Sequence, residues 1–369
     1  MLLLGACVTT ALAQGGGSAD YLKRRFDFGG PPAMAASGPP PPHWIQVPRA
    51  AGRITSKELG LVINTADPYS VAVGEFYIKA RNIPRAQVLR VQLPLHAALT
   101  PDEFRSFAEQ VDAFFGAPVQ ALALAWTAPF AVGCNSITGA LALGYDAGLC
   151  AHSCAPSHRS PYFNNASTRP QTDLKLRPSM LLAARDVAMA KAMIERGVAA
   201  DGSLGLRGGM PVNAYFVATS DIARGVRQSL FPPAGPLRRV GVEVHVEAKP
   251  VEDASRVLLY QTGAVSVPKL ETIKWVPGAL ADHLTSFGGN LEGGTGQMSI
   301  IDWIASGATA SYGSVSEPCA HPQKFPHPQV LLLNYLQGAS AIEAYWKSVA
   351  WPQQGVFIGE PLAAPFARR

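Results

Sequence analysis

The chain has 369 residues and a mass of 39.0 kDa, enough for one large or two ordinary domains. Hydrophobic residues make up 48% of it and charged residues only 15%, which excludes an intrinsically disordered chain. The net charge is +5, but lysine and arginine are scattered along the chain, with only short basic runs such as Arg238-Arg239. Because nucleic-acid binding needs clustered cations, this charge predicts a solvated surface and no nucleic-acid partner.

The N-terminus predicts export. Residues 1–14 are uncharged and largely apolar, and they end in Ala11-Leu12-Ala13, a small-x-small cleavage pattern. We therefore expect a signal peptide over 1–14 and a periplasmic or secreted protein. The segment Leu4-Gly5-Ala6-Cys7 also fits a lipobox, which would instead make the chain a lipoprotein anchored through Cys7. No later run is long enough for a transmembrane helix.

Residues 15–57 are rich in glycine and proline and are predicted to be a linker. The strand Leu59–Asn64 follows, and Asp67 caps a helix that begins at Pro68. Further strands are predicted at 87–93 and 119–126. Between them lies a helix opened by the capping box of Thr100 and Glu103. Its predicted buried residues are Phe104, Phe107, Val111 and Phe114.

Residues 127–177 break the alternation and are predicted to be a long loop excursion over the sheet. Strands then follow at 179–183, 213–218 and 240–247. A helix from 187 to 196 is capped by Asp186 and closed by Gly197. From residue 257 onward a short apolar strand runs into a polar, glycine-containing loop four times, at 257–263, 279–289, 308–319 and 356–366. Helices are predicted at 299–306 and 340–349.

This alternation predicts an α/β fold with three layers: a mostly parallel sheet with helices on both faces. We expect one domain over residues 58–366, because no second linker interrupts it. Ligands of such folds bind at the loops that leave the carboxyl ends of the strands.

Four cysteines remain after Cys7, an even number that favours two disulfides in an exported protein. Three pairings are possible. The close spacing of Cys150 and Cys154 favours a local loop closed by that pair, which leaves Cys134 for Cys319.

A metal site is the competing interpretation of the same cysteines. His152 and His158 lie near Cys150 and Cys154, and His321 lies near Cys319. The spacing is not a standard zinc pattern, so we predict no metal and no cofactor.

Four segments, residues 59–84, 276–289, 307–319 and 356–366, together resemble a family of exported, functionally uncharacterised bacterial proteins. The order of elements is also similar to the caspase–gingipain α/β arrangement. In those peptidases one strand ends in His-Gly, the next ends in the nucleophilic Cys, and a Gly-Asp-Pro turn lies near the end. Here only Gly359-Glu360-Pro361 matches approximately. The resemblance therefore implies the fold without the His/Cys dyad, and fold alone carries no activity.

Two classes of function remain open at this stage. The first is a non-catalytic scaffold that binds an unknown ligand or protein partner at the strand-end loops. Its candidate binding residues are Asn64, Asp67, Ser70, Gln261, Glu317 and Glu360. We expect the loops at Gly263, Ser286, Glu317 and Glu360 to meet on one edge of the sheet.

The alternative is a Ser- or Cys-dependent hydrolase in the 283–319 region. His283 would be the base, with Thr285, Ser286 or Cys319 as the nucleophile. Asp282 and His283 are adjacent on a predicted strand, so they point to opposite faces, and Asp282 cannot orient the imidazole.

Overall fold

The computed structural model describes residues 43–368. The predicted signal peptide, the lipobox with Cys7 and most of the predicted linker lie outside these residues. The strands are β1 (Leu59–Asn64), β2 (Val88–Val91), β3 (Ala98–Leu99), β4 (Ala121–Leu124), β5 (Ala131–Val132), β6 (Asn135–Ser136), β7 (Ser179–Leu181), β8 (Val212–Val217), β9 (Gly235–Leu237), β10 (Val242–Glu247), β11 (Val257–Gly263), β12 (Trp275–Leu284), β13 (Ala310–Ser314) and β14 (Gly355–Gly359).

The helices are α1 (Pro68–Arg81), α2 (Pro101–Phe114), α3 (Ile137–Leu143), α4 (Gly148–Ala151), α5 (Pro170–Leu174), α6 (Val187–Ala200), α7 (Ile301–Ser306), α8 (Pro328–Leu336) and α9 (Ala341–Ser348). None of these helices has the length and apolar character needed to cross a membrane.

Eleven strands form one sheet in the order β2-β1-β4-β7-β14-β13-β12-β11-β8-β10-β9, and β3, β5 and β6 form a small second sheet. Within the large sheet only the pairs β13–β14 and β9–β10 are antiparallel. Every residue of β1, β4, β7, β11, β13 and β14 is buried. Because successive side chains of a strand point to opposite faces, both faces of the sheet are covered. The predicted α/β class is confirmed.

The direction of β14 decides where its end lies. Ser314 pairs with Gly355 and Ala310 with Gly359, so β14 ends beside the start of β13. On its other side β14 is joined to β7 by one bridge of parallel type, between Ile358 and Leu181. This bridge is a single residue pair, whereas the antiparallel pairing with β13 has five. The contacts of Glu360 show that the end of β14 lies at the amino edge of the sheet, because Glu360 bonds to the last residue of α1, Arg81.

Capping explains why the helices begin where the sequence predicts. The Asp67 side chain accepts a hydrogen bond from Tyr69 N, and Pro68 occupies the first helical position of α1. The capping box of Thr100 and Glu103 opens α2 as predicted.

Four details of the helices differ from the prediction. Helices α3, α4 and α5 lie within residues 127–177, which were predicted to be a loop. Phe114 is 43% exposed and Phe115 is buried in its place, because α2 ends at residue 114 and the chain turns. Helix α6 continues through Gly197 to Ala200. A Cβ atom on Gly197 would collide with the side chain of Glu360, so this glycine serves close packing and does not end the helix. Helix α8 was not predicted.

The described part of the predicted linker packs on the domain. The backbone N–H of Ile45 donates to Gln329 of α8, and that of Ile54 donates to Glu343 of α9. Ile54 is fully buried. These contacts join residues 43–57 to the helix layer, although their composition is that of a linker.

The structure contains two disulfides, and the predicted pairing is wrong. Cys134 pairs with Cys150 and Cys154 pairs with Cys319, with Cα–Cα distances of 5.2 and 5.1 Å. The predicted Cys150–Cys154 pair does not form. The Asn135 side chain bonds to the backbone of Asp146, just before α4, which places Cys134 beside Cys150. Two disulfides indicate an oxidising environment, as in the periplasm or outside the cell.

Candidate functional site

Three of the candidate catalytic residues, His283, Thr285 and Ser286, lie at the carboxyl end of β12, beside its parallel neighbour β11. Cys319 follows β13. In the register of β11 and β12 Gln261 lies opposite Asp282, and Thr262 lies opposite His283. We call this the strand-end edge; it is the edge at which parallel sheets of α/β proteins bind their ligands.

His283 is buried, and both of its ring nitrogens are occupied. Nδ1 accepts a hydrogen bond from the indole Nε1–H of Trp303 at 2.9 Å, so Nε2 carries the proton and donates it to the Met298 carbonyl at 3.1 Å. Burial lowers the pKa of His283 to about 4. The imidazole is therefore neutral at physiological pH, and neither nitrogen is left to accept a proton from a nucleophile.

None of the three candidate nucleophiles is hydrogen-bonded to His283. The Thr285 hydroxyl donates to Gln297 Oε1 at 2.7 Å and accepts from Arg224 Nε at 3.1 Å. Cys319 is in a disulfide and has no thiol. The half-buried Ser286 forms no side-chain hydrogen bond with the described residues. The structure does not bring a base and a nucleophile together among these residues.

Asp282 and Gln261 belong to a buried ion pair. Arg227 donates to Asp282 Oδ1 at 2.6 Å and to the carbonyl of Thr262 at 2.7 Å, and Gln261 Nε2 donates to Asp282 Oδ2 at 2.7 Å. Asp282 points away from His283, as the alternation of the strand predicts. Internal bonds thus use the Gln261 amide nitrogen, whereas its buried Oε1 has no partner among the described residues.

The polar residues after β1 have two different environments. The Asn64 side chain bonds to both the N–H and the carbonyl of Leu93, and the Ser70 hydroxyl accepts from Asn64 N. These two buried residues hold β1 to the segment after β2. Asp67 is half-buried and reaches the surface of the strand-end edge.

Glu317 and Glu360 do not lie together. Glu317 is half-buried beside the Cys154–Cys319 disulfide, where it accepts from Cys319 N at 2.7 Å. Glu360 is fully buried at the opposite edge, bonded to Arg81 and to the Tyr77 hydroxyl at 2.7 Å. The expectation that four loops meet on one edge is therefore wrong for Glu360, because β14 runs antiparallel to β13.

A crevice of about 430 Å³ opens at the carboxyl ends of β1, β4 and β7. In the sheet, β1 has β2 on one side and β4 on the other, so the order of strands reverses at β1. Doubly wound sheets bind their ligands at such a reversal. We call it the switch-point crevice; its walls include Asp67, Tyr69, Thr127, Ala184, Arg185 and Leu291. Arg185 pairs with Asp302, in the first turn of α7, which links this crevice to the β12–β13 connection.

A second cavity, of about 410 Å³, lies where the excursion meets the ends of α8 and α9. We call it the aromatic pocket; Phe163, Phe325, Trp351, His327 and Arg159 line it. Because Ser314 pairs with Gly355, the segments at 322–327 and 348–351 adjoin the same strand-end edge. None of these residues was predicted from the sequence to belong to a site, and Trp351 was predicted to be core. The signal available was His327-Pro328, a residue able to cap followed by proline, which marks the start of α8.

Metal binding has no support at the cysteines, since both pairs form disulfides. Among residues 43–368 no group of three or more His, Cys, Asp or Glu side chains could hold a metal ion.

No protein-family model matches the chain, and no curated protein matches it. Two solved structures are similar to it. The crystal structure of the Arg specific cysteine proteinase gingipain R (RGPB) aligns with a TM-score of 0.42 and 11% identity, covering 84% of this chain and 78% of that chain. A second, described as the structure of a protease, has a TM-score of 0.41 and 9% identity over 85% of this chain and 79% of that chain. At these values neither likeness indicates an activity for this chain.

Proposed function

We propose that the chain is an exported, non-catalytic binding domain that takes a ligand or protein partner at the strand-end loops of its sheet. One observation carries the proposal: both ring nitrogens of His283 are used inside the protein, by Met298 and Trp303. General-base catalysis needs an imidazole nitrogen within hydrogen-bond reach of the nucleophile, and both nitrogens of His283 are already occupied.

The surroundings of the candidate nucleophiles support the same conclusion. Thr285 is held between Arg224 and Gln297, and Cys319 is tied to Cys154. Activation of a serine or threonine requires a base beside it, and activation of a cysteine requires a thiolate. These groups provide neither.

The strand-end edge nevertheless has the shape of a binding surface. The switch-point crevice and the aromatic pocket both open there, with volumes in the range of small-molecule sites. The Cys154–Cys319 disulfide ties the excursion to the loop after β13. A covalent tie that orders a long loop suits a preformed site. The disulfides also support export.

Covalent labelling tests the absence of catalysis. The purified, oxidised protein is treated with a fluorophosphonate and, separately, with iodoacetamide, and adducts are located by peptide mass spectrometry. We expect no stoichiometric adduct at Thr285, Ser286 or Cys319. The variant Ser286→Ala serves as the matched control. An adduct on the native protein that disappears in Ser286→Ala would instead establish the hydrolase alternative.

A further inference from the structure

The aromatic pocket has the composition of a site for a planar apolar group. Phe163, Phe325 and Trp351 form its walls, each from a different segment of the chain. Phe325 is fully buried, whereas Phe163 and Trp351 are half-buried and present ring surface to the cavity. Aromatic walls of this kind contribute large contact area at little entropic cost, because the rings have few rotatable bonds.

Two polar groups at the pocket have N–H donors that no residue among 43–368 accepts. The Nδ1 of His327 accepts from Val330 N as the cap of α8, so Nε2 carries a proton, and that nitrogen forms no hydrogen bond with the described residues. Burial lowers the pKa of His327 to about 4, so the ring is a neutral donor at physiological pH. The guanidinium of Arg159 lies 5.6 Å from the Phe163 ring centroid and forms no ion pair with the described residues.

The charge on the lining of the aromatic pocket is positive. Arg159 is a cation, and no aspartate or glutamate is among the lining residues. Arg159 is exposed, so its guanidinium is available at the mouth of the cavity, and its donors match the two oxygens of a carboxylate.

The switch-point crevice is less suited to a polar ligand, because its groups already bond to one another. The Tyr69 hydroxyl donates to the Leu182 carbonyl and accepts from Ala184 N, and Arg185 pairs with Asp302 at 2.5 Å. A ligand there would have to displace these bonds.

We infer that the aromatic pocket binds a small aromatic carboxylate, with its ring between Phe163, Phe325 and Trp351, its carboxylate on Arg159 and a hydrogen bond from His327. This inference rests on the proposed binding function and names its site and ligand class. The site needs no covalent step.

Three probes of nearly equal shape separate the contributions of charge and ring. Indole-3-acetate carries the carboxylate, indole-3-acetamide is its neutral counterpart, and tryptamine is cationic. Each is titrated into the full-length oxidised protein by calorimetry. We expect indole-3-acetate to bind about tenfold more tightly than the acetamide, because a charge-assisted hydrogen bond is stronger than a neutral one, and tryptamine to bind most weakly.

Variants locate the site. Arg159→Gln should weaken indole-3-acetate binding by about tenfold and leave the acetamide unchanged. Arg169→Gln, an exposed arginine of the same excursion, is the matched control and should change neither. Phe163→Ala should weaken both probes. Thermal melts of all three variants establish that they are folded.

The outcomes are distinguishable from those of the labelling experiment. Equal affinity for acetate and acetamide, unaffected by Arg159→Gln, would overturn the ligand class while leaving a binding domain. Failure of all probes to bind would overturn the site. A catalytic adduct at Ser286 or Thr285 would overturn the proposed function itself, whatever the probes do.

Discussion

The indole N–H of Trp303 donates a hydrogen bond to Nδ1 of His283 across 2.9 Å, in a fully buried environment. This contact fixes the tautomer of the histidine and directs its only proton to the Met298 carbonyl. His283, the candidate base, is therefore part of the buried core.

Replacing Trp303 by phenylalanine should leave Nδ1 buried without a donor. We expect the free energy of unfolding to fall by about 2 kcal/mol, from the unsatisfied acceptor and the lost ring contact. Urea denaturation measures the loss. Trp275→Phe is the matched control, because the Trp275 indole N–H has no partner among the described residues. Equal losses in the two variants would show that the His283 bond adds nothing.

Stability should fall on acidification. The pKa of His283 is lowered to about 4 in the folded state, so between that value and its ordinary value near 6.5 the unfolded chain binds more protons. The contribution is therefore fully present above about pH 6.5 and is lost as the pH falls toward 4. We expect roughly 2 kcal/mol less stability from His283 at pH 5 than at pH 7.

His327 should contribute a second part of this pH dependence, which a substitution can separate from that of His283. Its pKa is also lowered to about 4, and asparagine could replace it as the cap of α8. His327→Asn should therefore reduce the difference in unfolding free energy between pH 7 and pH 5 by about 1 kcal/mol, with partial exposure limiting the effect. The exposed His152→Asn is the control. An unchanged difference in His327→Asn would refute the assignment.

Glu360 should be a stability residue. It is fully buried and bonds through both carboxylate oxygens to Arg81, which also pairs with Asp201. Glu360→Gln removes the carboxylate charge and leaves the Arg81 guanidinium buried without it, so we expect the free energy of unfolding to fall by about 3 kcal/mol. Glu195→Gln changes an exposed carboxylate of α6 and should be nearly neutral. Chemical denaturation compares the two variants; similar behaviour would argue against a structural role for Glu360.

The two disulfides should contribute unequally. The bond Cys154–Cys319 joins residues 165 apart, whereas Cys134–Cys150 joins residues 16 apart. In the chain-entropy picture the longer loop stabilises by about 5 kcal/mol and the shorter by about 3. Paired replacement of each bond by serines, followed by thermal unfolding, tests the order. Non-reducing peptide mapping checks the pairing directly, and a Cys150–Cys154 peptide would contradict the structure.

Local rules account for much of the fold. Asp67-Pro68 and the Thr100–Glu103 capping box mark the starts of α1 and α2, because capping depends on residues only a few positions apart. The apolar runs of β1 and β11 likewise predict strands buried on both faces. Helix α8 was missed because almost all of its side chains are buried, so it has no amphipathic period.

What the sequence by itself determined is the class of the fold and the alternation of its elements. What only the tertiary structure decided are contacts between residues distant in the chain. Trp303 reaches His283, Arg81 reaches Glu360 and Cys319 reaches Cys154. Propensity and spacing act over a few residues, whereas these contacts depend on the order and direction of strands in the sheet. The antiparallel insertion of β14 beside β13, which sends Glu360 to the far edge, leaves no mark on any local pattern.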